Sequence, residues 1–247
     1  MLHRMKLDRE PFDMIANGSK TVELRLFDEK RKQIKCGDFI GFYEKDAPDS
    51  MIQVRVTGLF RYDSFEELFE NLPDKRYGKG IDAGYMERFY SRDEQDKYGV
   101  IGIEFRKTEL QRFIDAQENG YDFGENYETA IQEIRCGEKL THWIWYVFPQ
   151  IEGLGFGEIS VRFSIKNTEE AADYYDHPLL GGRLRECCEA LLELEQNDPV
   201  VVFGMVDALK LRSCMTLFLK VSGDDIFRKV LDKFCQGTED ELTLSKI

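Results

Sequence analysis

The sequence predicts an α+β chain in two parts, a small β-barrel followed by a mainly α-helical domain. Two observations carry this expectation. Through the first hundred residues apolar and polar side chains alternate, as in Val22-Glu23-Leu24-Arg25-Leu26 and Ile52-Gln53-Val54-Arg55-Val56, which is the signature of half-buried strands. After the segment Lys107 to Leu110 the apolar period lengthens to that of a helix and strand signals nearly vanish, so domains are expected at residues 1–108 and 109–247. A length of 247 residues allows two small domains, each able to bury a core.

The first element follows Asp8, which is placed to cap a short helix with Pro11 in its early turn and Phe12, Met14 and Ile15 on its apolar side. Gly18 ends it at the position where a left-handed residue is favoured. The strand Val22–Leu26 comes next and puts Glu23 and Arg25 on one face, roughly 7 Å apart by strand rise. Asp28 to Gln33, with three consecutive cations and Lys35 nearby, is expected to be an ordinary exposed loop. A turn at Cys36-Gly37-Asp38 leads into a strand at 39–43, and a polar loop containing Pro48 leads into another at 52–60. Ser64 and Glu67 have the spacing of a capping box, which starts a helix running towards Leu72-Pro73. The glycine-rich stretch from Tyr77 to Gly84 lacks the spacing of a phosphate-binding loop and is expected to be a mobile loop able to close over a cleft. A helix near Tyr85 to Tyr90 and a strand at 100–105 complete the barrel.

In the second half, Leu110, Phe113, Ile114 and Gln117 mark one helix ending at Gly120, and Tyr127, Ile131 and Ile134 another ending before Gly137. Thr168 heads a helix with Glu169 and Glu170 in its first turn, where the helix dipole favours anions, and it stops near His177-Pro178. Leu184, Cys187, Cys188, Leu191 and Leu194 form the strongest amphipathic stripe, and Ile226, Val230, Leu231 and Phe234 a last one before Gly237.

The net charge of −13 is uneven: residues 1–108 hold 20 basic and 21 acidic side chains, so twelve of the excess negative charges fall in the second half. Such a chain does not draw nucleic acid by a long-range field, and any RNA contact must be local and short. The six cysteines are scattered without a C-x-x-C pair, and the three histidines do not cluster, which argues for reduced thiols and against a metal centre. No cofactor is expected. No apolar run approaches the roughly 20 residues of a membrane span, so the expectation is a cytoplasmic protein without a membrane partner. Its oligomeric state is not legible.

The spacing Gly18-x-Lys20-x-x-Glu23-x-Arg25, closing a helix and opening a strand, resembles the signature of the ASCH family, whose domains adopt a PUA-like β-barrel. The resemblance covers about the first 105 residues, through the strand ending at Phe105. It implies a cleft that binds RNA or a nucleoside-like or nucleotide-like ligand, with Lys20 and Arg25 meeting phosphate or carbonyl oxygen and Glu23 accepting from a base amino edge or orienting Lys20. One branch of the family hydrolyses acetylated cytidine through the lysine, so an amidohydrolase with Lys20 and Glu23 as catalytic residues is the alternative. In that branch the position of Glu23 resembles a threonine, and a carboxylate beside Lys20 favours the ammonium form over the free amine a nucleophile needs. Asp82 is the nearest candidate for the missing acid. Taken without the resemblance, Lys20, Glu23 and Arg25 read as a solvated strand face with a weak ion pair.

The segments Thr141 to Gln150, His177 to Gly181 with Arg183 and Arg185, and Lys210 to Phe218 together resemble a family of bacterial all-helical domains of unknown function, over about residues 110–244. That resemblance implies a fold and almost no activity. The residues themselves suggest a ligand pocket in which Trp143 or Trp145 stacks on a base or ribosyl group beside His142, with Lys210, Arg212 or Arg183 on a phosphate. The bland reading is that both indoles are core and His142 is a satisfied imidazole. A third function class, a non-catalytic protein-interaction module using the aromatic surfaces, also stays open.

Overall fold

The computed structural model describes residues 1–47, 50–72, 76–78 and 80–247. Pro48, Pro73 and Lys79, which fall in the polar loop, the helix end and the glycine-rich stretch anticipated from the sequence, lie outside the described residues. The chain divides into two compact units, Met1–Thr108 and Glu109–Ile247.

The first unit is built on five strands, β1 (Leu2–Leu7), β2 (Val22–Leu26), β3 (Phe39–Glu44), β4 (Met51–Tyr62) and β5 (Val100–Lys107). They form one curled sheet in the order β1-β3-β4-β5-β2, a half-barrel with β1 and β2 at its two ends. The pairs are antiparallel except β1 with β3, which runs parallel from Leu2 opposite Phe39 to Leu7 opposite Glu44. Exposure alternates along the β1 segment, but its inward positions are His3, Met5 and Leu7 and its outward ones include Leu2, so the apolar pattern in the sequence is too faint to read as a strand. A bulge between Val56 and Gly58 bends β4, the device by which a long strand turns around a barrel corner.

One face of the sheet closes on helix α1 (Arg9–Ala16), with Phe12 and Ile15 packing against Ile40, Phe42, Val54, Ile101 and Ile103. The other face closes on α2 (Phe65–Asn71) and α3 (Ala83–Glu87), with Phe65, Leu68 and Met86 against Val22, Leu24 and Val100. Ser64 caps α2 by accepting from the Glu67 amide at 3.2 Å. Asp8 precedes α1 without a side-chain cap bond and instead pairs with Lys45 at 2.7 Å. A fourth helix, α4 (Arg92–Tyr98), begins with a complete capping box between Ser91 and Glu94.

The second unit is helical. Its elements are α5 (Gln111–Asn119), α6 (Tyr127–Cys136), α7 (Ile144–Val147), α8 (Glu158–Arg162), α9 (Thr168–Asp176), α10 (Leu180–Glu193), α11 (Pro199–Ser222), α12 (Asp225–Cys235) and α13 (Glu241–Leu244). Gly120, Gly137 and Gly223 end three of them with positive φ, the backbone state in which a side chain is costly. The long α11 is interrupted at Gly204, where φ is 76° and ψ 163°, so the helix breaks direction there. Cys187, Cys188 and Cys214 are buried thiols in this unit, and the cysteines are free.

Candidate nucleoside cleft and the helical-unit aromatics

Lys20 and Glu23 are each 4% exposed, which overturns the solvated-face reading of the motif. The Lys20 ammonium lies 3.3 Å from Glu23 Oε2 and donates to the Tyr77 carbonyl at 3.3 Å. Arg25 Nε lies 2.8 Å from Glu23 Oε1. The Arg25 guanidinium also donates to the Tyr90 hydroxyl at 3.0 Å and to the Lys6 carbonyl at 3.3 Å. Glu23 therefore sits between two cations supplied by its own strand and the turn before it. Burial alone would push its carboxyl up, but Lys20 and Arg25 outweigh that and hold it below the ordinary carboxylate range. The guanidinium is desolvated in turn, yet Glu23 and Tyr90 raise it further above its usual value.

These three side chains line a cleft of about 340 Å³, together with the aromatic Tyr85, Phe89 and Tyr90 and the cations Lys6 and Lys45. Phe89 is 53% exposed, leaving an aromatic face open beside the buried charges. Two atoms here are buried without a hydrogen bond, Glu23 Oε2 and Arg25 Nε. Both are nonetheless in close charge contact, Oε2 with the Lys20 ammonium at 3.3 Å and Nε with Glu23 Oε1 at 2.8 Å, so the set is paired within itself. The volume is in the range of small-molecule sites.

Asp82 does not line this cleft. It caps α3, accepting from the Tyr85 amide at 2.8 Å, which is ordinary work for an aspartate at a helix start. The carboxylates that do line the cleft besides Glu23 are Asp8, paired with Lys45, and the exposed Glu10. The cations at 30–32 form a short 3-10 turn at Arg31–Gln33, with Arg31 paired to Asp28 at 2.8 Å and Lys32 to Glu29 at 2.6 Å.

In the helical unit the two tryptophans part company. Trp143 is wholly buried, donates its indole N–H to Glu133 at 2.7 Å and packs against Phe148 and Phe203. Glu133 is desolvated, which would raise its carboxyl, but the indole and the Leu140 and Thr141 amides hold it low. Trp143 is thus a core residue that no ligand reaches. Trp145 is half-buried and lines a cavity of about 210 Å³ with His142, Tyr121, Phe123 and Tyr146.

The cations expected to meet a phosphate are committed elsewhere. Arg212 is held by Asp240 at 3.5 Å, and Asp240 is in turn bonded by Ser213 and Thr243. Arg183 donates to Gln117 and lies over the Tyr127 ring. Lys210 pairs with Asp207 at 2.6 Å and lies 4.3 Å over the Trp145 ring. Arg212 is therefore removed from the aromatic pocket, because its nearest strong partner is on the C-terminal turn and not beside Trp145.

Among the described residues no group of three or more His, Cys, Asp or Glu side chains is placed to hold a metal ion. No helix among them is long and apolar enough to cross a membrane.

Comparison with known proteins agrees with this architecture. The ASCH domain model matches residues 5–109, and the model of a protein of unknown function, DUF1810, matches residues 107–247. Among solved structures, the conserved hypothetical protein Rv1873 from Mycobacterium tuberculosis is 39% identical over 55% of this chain and 94% of its own, with a TM-score of 0.52. The hypothetical protein PH0355 is 35% identical over 43% of this chain and 99% of its own, TM-score 0.39. Protein PF0455 from Pyrococcus furiosus is 34% identical over 44% and 99%, TM-score 0.37. No curated protein matches. With more than half of its length matched, the chain belongs to the DUF1810 family and carries an ASCH domain, of PUA-like fold, ahead of that helical domain.

Proposed function

We propose that the first unit binds RNA or a nucleoside-like ligand in its cleft and does not hydrolyse it. The observation that carries the reading is the buried Lys20–Glu23–Arg25 set, a carboxylate flanked by two cations at the base of a cleft with open aromatic side chains. Such a set offers donors to phosphate or carbonyl oxygen and an acceptor to a base amino group, while Phe89 and Tyr85 offer stacking faces. Hydrolysis is disfavoured because the Lys20 ammonium is engaged by a carboxylate and a carbonyl, and because Asp82 is spent on capping α3. The near-neutral charge of residues 1–108 favours a short, local contact over a long nucleic-acid track.

Calorimetric titration of the full chain with cytidine, acetylcytidine and short single-stranded RNA tests the reading. Lys20→Ala is expected to weaken binding by about 1.5 to 3 kcal/mol, the worth of a hydrogen bond to a charged group. Wild type should release no product from acetylcytidine by chromatography at neutral or alkaline pH. Turnover that Lys20→Ala abolishes would make the amidohydrolase reading correct, and binding indifferent to Lys20→Ala would remove the motif from the site.

A further inference from the structure

We propose that the helical unit holds a ligand site of its own, an aromatic slot for an uncharged planar base, such as the adenine of a nucleoside. The slot is the 210 Å³ cavity walled by Tyr121, Phe123, Trp145 and Tyr146, with Asp122 and His142 also lining it. It has room for one ring system and is smaller than the roughly 300 to 1,000 Å³ typical of drug-sized ligands.

Two of the walls, Tyr146 and Trp145, are fixed before any ligand arrives. The Tyr146 hydroxyl lies 2.5 Å from the Glu125 carbonyl and 3.0 Å from that of His142, clamping the 121–125 loop to the start of α7. The approach is so close that a Cβ on Gly124 would stand 2.0 Å from the His142 carbonyl oxygen. The Trp145 indole N–H donates to Ser160 at 3.0 Å, which sets the plane of the ring. Phe123 is 85% exposed and stands ready to cover an entering ring. Asp122, exposed and held at a φ of 57°, also belongs to the lining. A preformed site of this kind loses little entropy on binding.

Charge decides which planar ligand fits. Lys210 lies 4.3 Å over the Trp145 ring and Arg162 4.8 Å over that of Tyr121, yet neither cation lines the cavity. Both rings therefore already serve a cation from outside the cavity lining, which engages part of their π density. A quaternary ammonium ligand needs the opposite, an electron-rich cage, whereas a neutral electron-rich base stacks well on such a surface. Phosphate adds nothing here, because no lysine or arginine lines the slot, Asp122 does, and this half of the chain carries most of the net negative charge.

The chain has two tryptophans, both in this unit, so tryptophan emission, excited selectively over tyrosine, reports the slot without signal from the first unit. Full-length protein titrated with adenosine should show a saturable change, with adenosine diphosphate binding no tighter and choline not competing. Trp145→Phe should abolish the change while Trp143 emission stays, and Phe123→Ala, at an exposed position, should weaken binding at least fivefold. Lys20→Ala should leave the titration unaltered, which separates this site from the cleft of the first unit. The proposal is overturned by no saturable change up to millimolar adenosine, by a change that survives Trp145→Phe, or by choline or the diphosphate binding tenfold tighter than adenosine.

Discussion

Replacing Glu23 by Gln keeps the shape of the side chain and removes its charge, leaving Lys20 and Arg25 facing each other across a neutral amide. Both members of the Lys20–Glu23 pair have side chains only 5% exposed, and Arg25 is 19% exposed. Removing one partner of a buried pair costs about 3 to 5 kcal/mol because the remaining charge is stranded, and the amide retained here places the expectation near the lower end, about 3 kcal/mol. For a unit of this size the same loss lowers the melting temperature by roughly 12 °C, at roughly 4 °C per kcal/mol. The loss should depend on pH in a definite direction. The folded carboxyl titrates below its ordinary value of 4.5, so its contribution is complete above that value and disappears as pH falls through the folded pKa. Wild type and Glu23→Gln should therefore converge in acid. Urea unfolding followed by far-ultraviolet circular dichroism at pH 7 and at decreasing pH measures this, with tryptophan fluorescence tracking the second unit as an internal control. A difference under about 1 kcal/mol at pH 7, the scale of an exposed pair, or one that does not shrink in acid, would refute the claim that this carboxylate is a buried charge between two cations.

Three further outcomes are expected. Residues 1–108 and 109–247, expressed separately, should each be soluble and unfold cooperatively; two unstructured fragments would count against independent folding. His177 is 1% exposed and burial pushes its imidazole down to about 4 from 6.5, so the second unit should lose about 3 kcal/mol as pH falls from 6.5 to 4. His177→Asn keeps an acceptor for the Leu180 amide that His177 Nδ1 now serves at 3.3 Å and should lack that acid loss in fluorescence-monitored urea titrations. Asp82→Ala should cost about 1 kcal/mol, as for a lost helix cap, and leave cleft binding unchanged in calorimetry; a binding loss as large as that of Lys20→Ala would put Asp82 in the site.

The sequence by itself determined the elements whose signal is local. Alternation at 22–26 was enough to put Glu23 and Arg25 on one face, and the stripes through Phe113, Ile131, Leu184 and Val230 were enough to place α5, α6, α10 and α12. Glycine at 120 and 137 marks helix ends because few other residues adopt positive φ at low cost. What only the tertiary structure decided is where distant groups meet. Lys20 is buried under the Tyr77 carbonyl and Arg25 is held by Tyr90, contacts 57 and 65 residues apart that no periodicity encodes. The parallel pairing of β1 with β3 was invisible because the inward positions of that strand include His3 and the outward ones Leu2, which leaves its apolar pattern faint. Trp143 and Trp145, two positions apart on a single short turn, face opposite environments, so one enters the core through Glu133 while the other borders a cavity. Arg212 pairs with Asp240 because α11 and the chain end fold together. Sequence patterning states which side of an element is apolar, but the identity of the neighbour that neutralises a charge or covers a ring depends on how the chain closes on itself.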